Sequence, residues 1–137
     1  MKVFFDSSAL AKRYIDEQGS EQVESLLQKA SSLGVSIICY PEIISAFCRL
    51  KRERALSKNQ YEKAKTALMA DLADASICTI APIVIKQAVA LLEANALRAM
   101  DALHIGCALE WNADLFVTAD MRQIAAAKHA GLKTKLV

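Results

Sequence analysis

Glycine and proline are scarce in this chain, four and two among 137 residues, while Ala, Leu and Ile are abundant, so a disordered or low-complexity segment is not expected. Cysteine is sparse and unpaired: Cys39, Cys48, Cys78 and Cys107 are widely separated, lie in apolar runs and form no C-x-x-C pair. That excludes a disulfide framework and a sequence-legible zinc site, and leaves four buried, inert thiols as the expectation. Long apolar runs are missing as well. Uncharged stretches reach about a dozen residues, short of the roughly 20 that a membrane-spanning helix needs. Only Val3-Phe4-Phe5 separates Lys2 from Asp6, too little for a signal peptide, so a cytoplasmic protein is expected. Nor is there a strong charge of one sign: the formal net charge of +2 does not announce a nucleic-acid binder, although local patches still could bind one.

What the chain does have is a set of strand-to-helix junctions marked by acids. Val3, Phe4 and Phe5 are strand formers apolar on both faces, as an inner strand of a helix-covered parallel sheet requires, and Asp6 follows at the carboxyl end. The segment from Ser7 to Asp16, with Ser as N-cap, reads as a helix beginning directly after that strand. Val23, Leu26, Leu27 and Ala30 form a second helical stripe ending before Gly34, and Val35 to Cys39 reads as the second strand.

Tyr40-Pro41-Glu42 marks the next junction, because Pro favours the first helical turn and Glu suits the positive end of the helix dipole. Ile43, Phe47 and Leu50 are the buried face of that helix. Ser57-Lys58-Asn59-Gln60 has the form of a capping box for a helix reaching about Asp74, which pairs with the preceding helix as a hairpin. Ile77 to Ile80 is a third strand, Pro82 opens another helix, and Leu97 to His104 opens a small-residue helix with Asp101 in its first turn. Leu115 to Thr118 is a fourth strand, followed at once by Asp120. The last helix stops at Gly131, and an extended piece, Leu132 to Val137, closes the chain.

This alternation of strands and helices, with right-handed crossovers, predicts an α/β fold: a three-layer α/β/α sandwich around a parallel sheet of four to five strands, formed by residues 1–137 as one domain. Asp6, Glu42 and Asp120 then fall at or just beyond strand carboxyl ends, where open α/β sheets bind ligands, and Asp101 can be aimed at the same edge. Clustered carboxylates repel and resist ionising unless cations neutralise them. Hard oxygen ligands without a His/Cys set favour Mg²⁺ or Mn²⁺, and the chemistry such an ion serves is phosphodiester hydrolysis.

The strings F-F-D-S-S-A-L at Asp6, P-E-I-I-S-A-F at Glu42, R-A-M-D-A-L-H-I-G-C-A at Asp101 and F-V-T-A-D at Asp120 resemble, in order and spacing, the four motifs of PIN-domain nucleases, especially the VapC toxins of toxin-antitoxin pairs. The resemblance spans essentially the whole chain. It implies an Mg²⁺- or Mn²⁺-dependent endoribonuclease acting on RNA, usually a homodimer, blocked by an antitoxin whose C-terminal segment covers the acidic groove. It also implies that Asp6, Glu42, Asp101 and Asp120 hold the metal and that the Thr118 hydroxyl supports the site. Gly106 departs mildly from the pattern, where Ala is commoner, a matter of helix stability rather than chemistry.

Blander assignments stand beside these. Asp6 could simply cap the next helix, and Glu42 and Asp101 could simply complement helix dipoles. Ser7 could cap a helix or support the metal shell, and Ser8 reads as a cap. His104, one turn after Asp101, could touch substrate or hydrogen-bond that carboxylate, but reads first as a structural histidine in an apolar helix. The run Arg49 to Arg54 reads as a solvated helix face, with Arg49 and Arg52 the candidate phosphate contacts. Trp111, Tyr14 and Tyr61 are not spaced as a base-stacking platform. A catalytically silent module binding RNA or a protein is the alternative function. An aspartyl-phosphate fold is disfavoured, since Asp6-Ser7-Ser8 lacks a second aspartate and no paired acids precede Asp6.

Overall fold

Residues Val3, Phe4 and Phe5 are completely buried in the first strand, β1 (Lys2–Phe5), of a computed structural model that describes residues 1–137. Side chains alternate across a strand, so Val3 and Phe5 enter one core and Phe4 the other. After β1 come α1 (Ser7–Leu10), a 3-10 turn (Ala11–Arg13), α2 (Ser20–Lys29), β2 (Ser32–Ser36), α3 (Cys39–Arg52), α4 (Lys58–Asp74) and β3 (Ser76–Cys78). The remainder is α5 (Pro82–Ala94), α6 (Ala99–Glu110), β4 (Leu115–Thr118), α7 (Met121–His129) and β5 (Thr134–Leu136). The strands form one five-stranded sheet in the order β3-β2-β1-β4-β5, and every pair is parallel. The α/β/α sandwich expected from the sequence is the fold observed.

Each face of the sheet carries its own core. Val3, Phe5, Val35 and Val117 pack with Leu10, Val23, Ile43, Phe47 and Leu68 from α1 to α4. On the opposite face Phe4 and Phe116 pack with Val84, Ala88, Ile105 and Ala126 from α5 to α7. At about 25 cal/mol per Å² of apolar surface, burial on both faces is what holds β1 at the centre. The chain runs outward from β1 to β2 and β3, then crosses to β4 on the other side, so the strand order switches direction beside β1. The crevice beyond the carboxyl ends at such a switch is the favoured binding position in open α/β sheets.

Three local expectations are corrected. The second strand is Ser32–Ser36 rather than Val35 to Cys39, because its register is set by pairing with β1, Lys2 to Ser32 and Phe4 to Gly34, while Cys39 turns inward as the first residue of α3. The helix after Asp6 does not run to Asp16: it ends at Leu10 and tightens into the 3-10 turn. Its cap is Asp6 rather than Ser7, since the Asp6 carboxylate accepts the Ala9 N–H at 2.9 Å. The capping box at Ser57 and Gln60 is formed in both directions, and α4 ends at Asp74. Gly131, at φ +94°, follows α7 in the left-handed conformation anticipated there. The thiols are free, Cys39 and Cys107 buried and Cys48 and Cys78 partly so, and burial pushes Cys39 up to about 12 and Cys78 up to about 11.

Candidate active site

The four acids singled out from the sequence all lie at the carboxyl edge of the sheet. Asp6 leaves β1, Glu42 sits in the first turn of α3 after β2, Asp101 in the first turn of α6, and Asp120 follows β4 as the N-cap of α7. Asp6 is 1% exposed and Asp101 7% exposed, whereas Glu42 and Asp120 reach solvent.

Asp6 is surrounded by neutral donors. Ser8 Oγ donates to its two oxygens at 2.8 and 2.9 Å, so Ser8 serves the carboxylate and is not the helix cap expected. Thr118 Oγ1 donates to Oδ2 at 2.8 Å. Gln123 Nε2 donates to the same oxygen at 2.6 Å and to Asp101 Oδ1 at 3.1 Å, bridging the two acids. Burial pushes the Asp6 carboxyl above its usual value, a shift only partly offset by the charge of His104 and the hydrogen bonds from Ala9, Thr118 and Ser8.

Arg98, which precedes α6, places Nε 3.0 Å from Asp101 Oδ2 and a terminal nitrogen 3.9 Å from Asp120 Oδ2. Glu42 is drawn to a different pair. His104 Nε2 stands 2.5 Å and Ser7 Oγ 2.7 Å from Glu42 Oε1, and Ser7 Oγ is 3.3 Å from the same imidazole nitrogen. Burial opposes ionisation of Glu42, but the hydrogen bonds from His104 and Ser7, with the charges of His104 and Arg98, outweigh it and hold the carboxyl below its usual value. Ser7 therefore supports an acid of the site, though not the one next to it in sequence.

A cavity of about 330 Å³ opens beside Glu42, with Ser7, Ser8, Phe47 and Arg49 in its lining. A larger one of about 710 Å³, walled by Arg13, Tyr14, Lys63 and Asp71, contains none of the four acids, so size alone does not locate the chemistry. Arg49 thus shares a cavity with Glu42, the one acid of the four that lines it. Arg52, ten residues beyond Glu42 on α3, lies about 15 Å along the helix axis from it and is not part of this cavity.

Three side chains that complete the site escaped the sequence reading: Gln123, Arg98 and His104 as the partner of Glu42. Two had a readable signal. Gln123 stands on the buried face of α7 with Ile124 and Ala127, and His104 on that of α6 with Ile105 and Ala108. A polar residue inside an apolar stripe needs a partner. Arg98 had none, since an exposed arginine before a helix is ordinary.

The donors fit a hard divalent cation: Asp6, Asp101 and the outer Glu42 and Asp120 offer only oxygen, and a buried oxygen, Gln123 Oε1, has no partner. Their arrangement is not yet a closed ligand set. No three of the His, Cys, Asp and Glu side chains stand close enough to share one ion; the Gln123 amide bridges Asp6 and Asp101, and Glu42 is bonded to His104.

Fold and edge together define an α/β protein with an acidic crevice at its topological switch. The chain belongs to the PIN-domain family, whose pattern it matches over residues 3–129. Among solved structures it is similar to FitAcB from Neisseria gonorrhoeae (TM-score 0.74, 15% identity, 96% of this chain and 95% of that one covered). It is also similar to VapC20 from Mycobacterium tuberculosis, a sarcin-ricin loop cleaving toxin (0.69, 15%, 95% and 95%). A third similar structure is a toxin-antitoxin complex from Klebsiella pneumoniae (0.67, 18%, 90% and 90%). At such identities the likeness is one of fold. Comparison with curated proteins gave no match. No helix is long and apolar enough to cross a membrane.

Proposed function

We propose that this chain is an Mg²⁺- or Mn²⁺-dependent endoribonuclease, the toxin of a toxin-antitoxin pair, working in the cytoplasm with residues 1–137 as one catalytic unit. The observation that carries the reading is the buried Asp6 carboxylate at the end of the central strand, bridged to a second buried acid, Asp101, with Glu42 and Asp120 on the same edge. Family membership supports it, since phosphodiester hydrolysis is the activity PIN domains are expected to have. A divalent cation held there offsets the charge of the scissile phosphate and lowers the pKa of a bound water.

The chain's own residues divide the work. Asp6 and Asp101, with Asp120, would hold the metal; Thr118 and Ser8 fix the Asp6 carboxylate by donating to it. Glu42, held ionised by His104 and Ser7, supplies negative charge on the same edge and would be the outer carboxylate available to the ion. Arg49 on the cavity rim contacts the RNA backbone, with Arg52 a more distant contact along α3. An antitoxin segment over this edge is part of the proposal, supported by the toxin-antitoxin complexes among the similar structures, and so is a homodimeric state, which rests on the family resemblance alone.

One observation favours a second reading, a catalytically silent module that binds RNA or protein: Gln123 and Arg98 already satisfy Asp6 and Asp101 without a metal. A single-stranded RNA cleavage assay separates the two. The nuclease cleaves with Mg²⁺ or Mn²⁺, is silent in EDTA, and is abolished by Asp6→Asn. Undiminished RNA affinity in EDTA with no cleavage under either metal establishes the silent module instead.

A further inference from the structure

Gln123 is 2% exposed, in the first turn of α7. Its Nε2 is within hydrogen-bond distance of both buried carboxylates, 2.6 Å from Asp6 Oδ2 and 3.1 Å from Asp101 Oδ1. Both amide hydrogens are thereby used. Its oxygen is buried too and meets no donor. One end of this amide is doubly satisfied by negative groups while the other is stranded, an asymmetry that natural interiors seldom tolerate without a reason. A primary amide is also a side chain that can exchange a donor for an acceptor by one terminal rotation, with no change of charge.

We propose that Gln123 is a stand-in for the divalent cation, placing its NH₂ between Asp6 and Asp101 in the metal-free protein and turning to present Oε1 to the cation when one binds. The inference rests on the metal-dependent reading given above and deepens it. Two carboxylates this deeply buried need a positive or donor group between them. In the metal-free state the amide hydrogens supply it. Those hydrogens would be repelled by a cation in the same space, whereas the stranded oxygen is a hard neutral ligand of the kind Mg²⁺ and Mn²⁺ accept. The rotation answers both demands, and it gives the orphaned oxygen its partner.

The test uses the full chain stripped with EDTA. In a ¹⁵N-labelled sample the Gln123 side-chain amide pair, assigned by its loss in Gln123→Met, is followed during titration with Mg²⁺, while the Ala9 backbone amide, bonded to Asp6 Oδ1 at 2.9 Å, reports occupancy of the site. The expected result is that the Gln123 amide protons move toward weaker hydrogen bonding in step with Ala9. Calorimetry with Mn²⁺ should show binding weakened about tenfold in Gln123→Met, the lower end of what removing a supporting ligand costs, and strengthened in Gln123→Glu. A Gln123 amide that stays fixed while Ala9 responds overturns the proposal, as does unchanged Mn²⁺ affinity in both variants. Should the wild-type protein bind neither ion, the metal-dependent reading itself fails, and this proposal with it.

Discussion

His104 Nε2 lies 2.5 Å from Glu42 Oε1, joining the first turn of α3 to the middle of α6 across the mouth of the acidic crevice. The imidazole is buried and the carboxylate is partly open, so the histidine holds the acid rather than the reverse. Because burial pushes Glu42 up and the hydrogen bond from His104 is the largest opposing influence, His104→Leu is expected to raise the Glu42 pKa. A ¹³C carboxyl titration reads this directly. The same variant should lower RNA cleavage near neutral pH, and His104→Gln, which can still donate, should retain part of it. A Glu42 midpoint identical in wild type and His104→Leu would refute the role given to the histidine.

The parts of the fold that were legible in the sequence are those where local chemistry and global packing agree. Val3 to Phe5 is apolar on both faces because it is the central strand, Ser57 and Gln60 cap α4 by contacts within one turn, and Leu115 to Thr118 runs straight into its acid. The second strand was misplaced because Ile37, Ile38 and Cys39 look more like a strand than Ser32 to Gly34 does. Only pairing with β1 and the space taken by Trp111 explain a glycine there. Asp6, Glu42 and Asp120 were singled out from positions just after strands and Asp101 from the first turn of a helix, but the groups that tie them together were not. Gln123 reaches Asp6 and Asp101 from α7, a convergence that belongs to the assembled edge, whereas Arg98 is the N-cap residue of the helix of Asp101, three residues away, and was passed over as an ordinary exposed arginine.

Asp6 makes the stability of the metal-free protein depend on pH. Its carboxyl is pushed above the ordinary value of 3.8 in the folded state, so folding favours its protonated form. That stabilising contribution is present below the unfolded pKa and is lost as pH rises through the folded one, where the carboxyl ionises against its burial. Asp6→Asn, neutral at every pH, should therefore raise the Tm in EDTA by about 4 °C on the alkaline side of that transition, the shift that roughly 1 kcal/mol gives in a chain of this size. The gain should shrink on acidification toward the ordinary carboxylate range. Thermal unfolding across a pH series checks this, and a variant never more stable than wild type would contradict it.

Gly34 in β2 faces the indole of Trp111, and a Cβ there would stand 2.5 Å from Cζ3 and 2.6 Å from Cε3 of the ring. The ring has little room to retreat, since it packs on Phe4 at a centroid distance of 6.1 Å and carries Lys2 Nζ 4.3 Å from its centre. Gly34→Ala should destabilise the protein by about 1–3 kcal/mol, the usual range for an overpacked interior. Trp111 is the only tryptophan, so its emission in urea unfolding reports both the displaced ring and the loss of stability. In a Trp111→Leu background the same substitution should cost much less, a coupling that identifies the clash as the cause.

Arg98 sets the last expectation, because it offsets the charge of the acids from outside while Gln123 only hydrogen-bonds them from within. Its guanidinium is 3.0 Å from Asp101 and 3.9 Å from Asp120, yet its side chain is 74% exposed. An exposed cation is strongly screened, with a Debye length of about 10 Å at 0.1 M salt, so it competes with a divalent ion without preventing its entry. Arg98→Gln should tighten Mn²⁺ binding about threefold at low salt, and the advantage should fade in 0.5 M NaCl as screening removes the competition. Calorimetry at the two salt concentrations provides the comparison. Weaker Mn²⁺ binding in the variant would instead mean that Arg98 orders Asp101 for the ion, and would remove competition as the explanation for the Arg98 to Asp101 contact.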